Sequence, residues 1–123
     1  MESLLIEQGE FTPFVSFDSS SGILKIKGKS LPEDSRSFYK PLLSWVEEHG
    51  ASSNIVLIIH LDYINSSSSK QLLKLFYLLE DLFENSDGVQ VKWLHSTKDE
   101  LLRERGEELA QMIELPFEVK ASD

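Results

Sequence analysis

Four consecutive hydroxyls, Ser66, Ser67, Ser68 and Ser69, stand between Asn65 and Lys70, where the apolar run 55–59 hands over to helical periodicity from Leu72. The first N–H groups of a helix have no partner inside it, and the aligned peptide dipoles make that end positive. A serine or asparagine there caps the helix, and a phosphate attached there is stabilised. Residue types alone leave both readings open, a plain cap and a phosphorylation switch. The segment Ser67-Ser68-Ser69-Lys70 also fits S-x-x-K, in which a lysine one turn away activates a serine nucleophile for acyl transfer. Neither Ser-Asp-Asn nor Lys-Thr-Gly accompanies it, so no catalytic residue is assigned.

Other constellations are poorer. His49, His60 and His95 have no paired-histidine spacing and cysteine is absent, so neither a metal site, a disulfide framework nor a thiolate nucleophile is expected. Glu47-Glu48, Asp99-Glu100 and Glu107-Glu108 are sequential on helical segments and point apart, as on a solvated face. Nothing resembles a phosphate-binding glycine loop, and no cofactor is expected. Twenty-one acids against twelve bases give a net charge of −9, which disfavours nucleic acid and membrane as partners. The acidic N-terminus has too short an apolar stretch for a secretory signal or a membrane span, so a cytoplasmic protein is the default. Without that signal, the glycosylation pattern Asn65-Ser66-Ser67 has no physical consequence.

The elements that must hold the serine turn follow from periodicity. Residues 1–10 read as a loosely held arm and 11–123 as a single α/β domain. Strands at 14–18 and 23–27 flank Ser19-Ser20-Ser21-Gly22 as an antiparallel hairpin. A helix follows from 31–35, with Phe38, Leu42, Trp45 and Val46 on one face, a kink or start at Pro41 and an end at Gly50. The apolar run 55–59 reads as a central strand covered on both faces. Leu72, Leu75, Phe76, Leu79, Leu82 and Phe83 form the stripe of a helix over 66–84 that ends at residues 85–88. A strand at 89–93 alternates. Thr97 and Glu100 make a capping-box pattern opening a helix with Leu101, Leu102, Leu109, Met112 and Ile113 inward. Residues 115–119 close the chain as an edge strand. The alternation predicts a mixed sheet with helices packed on it, strands 55–59 and 89–93 parallel, and the serine turn at the carboxyl end of the central strand.

Several fragments in this order resemble one family. They are Thr12-Pro13, Phe17-Asp18, Gly22-Ile23-Leu24-Lys25-Ile26, Gly28-Lys29-Ser30-Leu31-Pro32-Glu33-Asp34, Phe38-Tyr39-Lys40-Pro41-Leu42, Asp62 through Lys70, and Leu115-Pro116-Phe117. Over about 11–119 the chain is similar to the SiaC-type regulatory phosphoproteins of bacteria. The resemblance implies a STAS-like fold and a non-enzymatic, partner-switching role in biofilm and cyclic di-GMP signalling. It implies a histidine-kinase-like protein kinase, an opposing PP2C-type phosphatase, and a diguanylate cyclase bound and activated by the unmodified form. The family's phosphoacceptor follows the Asn of the strand-to-helix turn, a position held here by Ser66, with Ser67 and Ser68 as alternatives in the serine run. Asp62, Tyr63, Asn65, Ser67 and Lys70 surround it as the expected partner-binding residues. Two rival readings keep the fold and change the role: an anti-sigma-factor-antagonist-like switch with another partner, and a constitutive adaptor whose serines only cap the helix.

Overall fold

The structure, a computed structural model, describes residues 3–49, 54–83 and 88–122. The elements are β1 (Leu4–Ile6), β2 (Phe14–Phe17), β3 (Ile23–Ser30), α1 (Ser35–His49), β4 (Ile55–Ile64), α2 (Ser66–Phe83), β5 (Val89–His95), α3 (Glu100–Gln111) and β6 (Phe117–Ala121). The six strands lie side by side in chain order. The first two pairings are antiparallel and the remaining three parallel. The mixed α/β architecture and the parallel neighbours β4 and β5 are those predicted from the sequence.

Every parallel step is a strand, helix, strand crossover to the adjacent strand in one direction, and right-handed crossovers of that kind put successive helices on the same side. Burial follows this rule. Along β4, Ile55, Leu57, Ile59 and Leu61 are buried, whereas Val56, Ile58 and His60 on the opposite face are half-buried. The expectation of a central strand covered on both faces is therefore corrected: all three helices back one face, and β-branched residues on the other stay partly open to solvent. One continuous core joins β2 to β5 with α1, α2 and α3, and includes Phe17, Leu24, Tyr39, Trp45, Phe76 and Trp93. Burying each such large side chain contributes roughly 1.5–3 kcal/mol.

Four further expectations change. The N-terminal arm is not loose throughout, since Leu4–Ile6 pairs with β2, Leu5 lying opposite Ser16. Three residues give too short an alternation to read. Pro41 lies inside α1, which keeps the first of the two alternatives and drops a start there. The cap of α3 is Asp99, whose carboxylate accepts from Leu102 N–H at 3.0 Å, not Thr97. That start sets the helix phase so that Leu101 (63% exposed) and Met112 (54%) face solvent while Leu102 and Leu109 face the core. Gly106 sits flat against Trp93, and the indole Nε1 donates to the Leu102 carbonyl at 2.9 Å. The last strand is shifted two residues toward the C-terminus, to Phe117–Ala121, because Pro116 cannot donate to the ladder; it remains an edge. The expected helix end at Gly50, the Phe83 side chain and residues 85–87 lie outside the described residues.

Candidate functional site

The serine turn sits at the carboxyl end of β4, as predicted, and is shorter than a loop: Asn65 is the one residue between β4 and α2. Its backbone N–H donates to the Ser30 carbonyl at 3.0 Å, which ties the turn to the end of β3. Gly28, at φ 110°, precedes a register shift that lets β3 continue beside β4 as far as Ser30 opposite Ile64. Asn65 caps α2, its side-chain carbonyl accepting from Ser68 N–H at 2.9 Å and from the Ser67 hydroxyl at 3.3 Å.

The four serines, alike in sequence, have different surroundings. Ser68 is fully buried. Its hydroxyl accepts from Ser30 Oγ at 2.8 Å and donates to the Ser30 carbonyl at 3.1 Å. With the Ser30 proton so committed, the 2.6 Å contact between Ser30 Oγ and Tyr39 Oη requires the phenol to donate. A closed relay thus joins α1, β3 and α2. Burial pushes the Tyr39 phenol up to about 12, partly opposed by the hydrogen bonds to Ser30 and Ser68. Ser69 is also buried, with its hydroxyl unpartnered. Ser67 is exposed as a residue, but its hydroxyl is engaged by Ser35 Oγ at 2.6 Å, across the neighbouring first turns of α2 and α1. Ser66 is different. It is the first residue of α2, it is exposed, and its hydroxyl has no hydrogen-bond partner among the described residues. No acidic side chain occupies that first turn, so the positive helix end is uncompensated.

Two depressions flank this turn. On the β3 side, Glu10, Phe11, Lys29, Leu31, Asp62, Tyr63 and Asn65 line a groove of about 650 Å³. Asp62 is exposed, Tyr63 is 49% exposed and Phe11 52%, so two aromatic rings stand open beside the carboxylates. On the α3 side, Ser66, Ser69 and Lys70 face Arg105, Glu108 and Met112 over a floor of Leu73 and Leu109, in a cleft of about 210 Å³. The depression at the opposite end of the strands, among Asn54, Val56, Gly88, Gln90 and Pro116, carries no titratable group. The predicted residues Asp62, Tyr63, Asn65, Ser66, Ser67 and Lys70 are brought together on one end of the molecule, while Ser68 is turned into the core.

Sequence reasoning missed Phe11 and Arg105. Phe11 lay at the edge of the supposed arm, and Arg105 sits on a helix whose phase depends on the Asp99 cap. It also missed Ser30 and Tyr39, whose polar pairing leaves no trace in hydrophobic periodicity. No group of acidic or histidine side chains able to hold a metal occurs among the described residues.

The arrangement defines a class: a small α/β module that presents a serine at an electropositive helix end between two surface grooves. A family model described as the SiaC family regulatory phosphoprotein matches residues 6–122, and the chain belongs to that family. It is 30% identical to an uncharacterized protein of Pseudomonas aeruginosa (strain UCBPP-PA14) over 125 aligned residues, covering 100% of this chain and 99% of the relative. The crystal structure of apo-SiaC from Pseudomonas aeruginosa is similar at a TM-score of 0.91 and 28% identity, covering 98% of this chain and 100% of that one. A chain in the crystal structure of the diguanylate cyclase SiaD in complex with its activator SiaC, from the same organism, matches at a TM-score of 0.90 and 29% identity, over 97% and 99% of the two chains.

Proposed function

We propose that this protein is a non-catalytic partner switch controlled by reversible phosphorylation of Ser66. The observation that carries the reading is the difference among the serines: the cap is supplied by Asn65, Ser67 and Ser68 are hydrogen-bonded, and Ser66 alone of the four is both exposed and without a partner among the described residues. A cap-only role accounts for Asn65 and leaves the Ser66 hydroxyl unexplained. This favours the switch over the constitutive adaptor. The γ-phosphoryl of ATP passes to Ser66 Oγ on a histidine-kinase-like protein kinase, the hydroxyl proton leaves to a base on that kinase, and ADP departs. A PP2C-type phosphatase returns the group to water.

The unmodified form binds and activates a diguanylate cyclase, a partner class suggested by the similar complex. A surface that docks over the turn must, after phosphorylation, desolvate a group carrying about −1.5 to −2 charges. The fold persists because the modified hydroxyl lies outside the core. Incubation with the kinase and ATP, followed by intact-mass measurement and site mapping, should give one phosphoryl group on Ser66, removable by phosphatase and absent in Ser66→Ala. Cyclase affinity measured by calorimetry should fall on phosphorylation by about 5- to 150-fold, the usual range of coupling. Modification elsewhere, or equal affinity of both forms, overturns the proposal. Co-purification of a sigma-factor regulator in place of a cyclase would keep the switch and replace the partner.

A further inference from the structure

We propose that the phosphoryl group on Ser66 is held by a cationic clamp built from Lys70 of α2 and Arg105 of α3 across the cleft between the two helices. The inference rests on Ser66 being the acceptor and adds what the protein does with the group once attached. Ser69 and Lys70 lie one turn beyond Ser66 on α2 and line the cleft with it, together with Arg105. Both helices follow parallel crossovers and run in the same direction. Helical side chains lean toward the N-terminus of their own helix, so Arg105 leans toward the end of the molecule that carries Ser66.

On α3, Arg105 differs from its neighbour in facing the cleft without an acidic partner among the described residues. Its neighbour Arg103 is held by Glu100 at 2.5 Å and Glu107 at 2.7 Å, whereas neither Arg105 nor Lys70 forms an ion pair among the described residues. Ser69 gives an independent sign of an incomplete site: it is 7% exposed and its hydroxyl has no hydrogen-bond partner. Buried hydroxyls are normally satisfied, and this one sits in the cleft wall as an unused donor. Among the described residues Glu108 is the one acidic side chain lining the cleft, so Lys70 and Arg105 leave a net positive charge to meet a dianion. The planar guanidinium takes two phosphate oxygens at once, Lys70 supplies a point charge, and the first turn of α2 supplies its free N–H groups. Phosphorylation then bridges α2 to α3 and closes the cleft, as well as adding charge.

The test encodes phosphoserine directly at position 66 of the full chain and follows its 31P resonance against pH. The second phosphate pKa should lie below the ordinary value of about 6. Arg105→Ala should raise that midpoint by about 0.5 unit, a threefold gain in proton affinity for one charge removed at close range in a hydrated site. Arg105→Lys should recover part of the shift, and phosphoserine encoded at exposed Ser20 should not respond to Arg105. An unmoved midpoint in an Arg105→Ala protein with unchanged circular dichroism overturns the clamp. Because the phosphoserine is encoded, the two readings fail separately: a kinase that ignores Ser66 defeats the switch and leaves the clamp intact, and an unmoved titration does the reverse.

Discussion

Removing the Ser68 hydroxyl should cost far more than removing that of Ser66, although the two residues are two positions apart in a run of one amino acid. Ser68 is fully buried, and it takes the Ser30 proton while giving its own to the Ser30 carbonyl. In Ser68→Ala the hydroxyls of Ser30 and Tyr39 remain, 2.6 Å apart, with two protons and one mutual acceptor between them. Whichever way they turn, one buried proton is left without an acceptor, a penalty of about 1–3 kcal/mol. For a domain of this length, each kcal/mol lowers the melting temperature by about 4 °C, so the variant should melt about 4–12 °C lower. Ser66→Ala keeps the Asn65 cap and exposes no new polar group, and should stay within about 0.5 kcal/mol of the parent. Urea unfolding followed by circular dichroism separates the two, provided the slope with denaturant is unchanged. Equal losses for both variants would refute the division into one structural and one surface serine.

Two further outcomes follow from the core. Gly106→Ala would place a Cβ 2.7 Å from Trp93 Nε1, so α3 must shift off the indole; we expect a loss of about 1–3 kcal/mol by thermal denaturation and weakened Trp93 burial by fluorescence. The Tyr39 phenol titrates near 10 when unfolded and at about 12 when folded, so the neutral form is favoured by the fold. Its stabilisation is complete below pH 10 and is lost between pH 10 and about 12, a change on the order of 2–3 kcal/mol that Tyr39→Phe should abolish in an alkaline stability profile.

Much of the fold was legible because its periodicities are strong. The β4 run, the α2 stripe and the strand read at 89–93, which extends to His95, each fill one side of a continuous core, and local pattern agrees with tertiary burial there. The misreading of β4 as covered on both faces has a plain cause: valine and isoleucine at its half-open positions, Val56 and Ile58, read as apolar whether a helix covers them or not. α3 was mis-phased at Leu101 and Met112 because both Thr97 and Asp99 can cap, and the choice is made in space by Trp93 against Gly106. At the site, the turn, its polarity and its asparagine were readable from residue types. The sorting of four identical serines was not, since it depends on Ser35 and Ser30, partners more than 30 positions away.

The passage from β4 into α2 through a lone asparagine has a mechanical consequence. A modification loop usually stiffens or melts when it is charged, and its reader detects the change of shape. Here the acceptor is clamped to the middle of the sheet, with neither slack to take up nor order to gain. A partner meets the same backbone contour at the turn in both states and must discriminate by charge and by the side chains drawn across the α2–α3 cleft, which makes the recognition cheap in backbone entropy and sensitive to ionic strength.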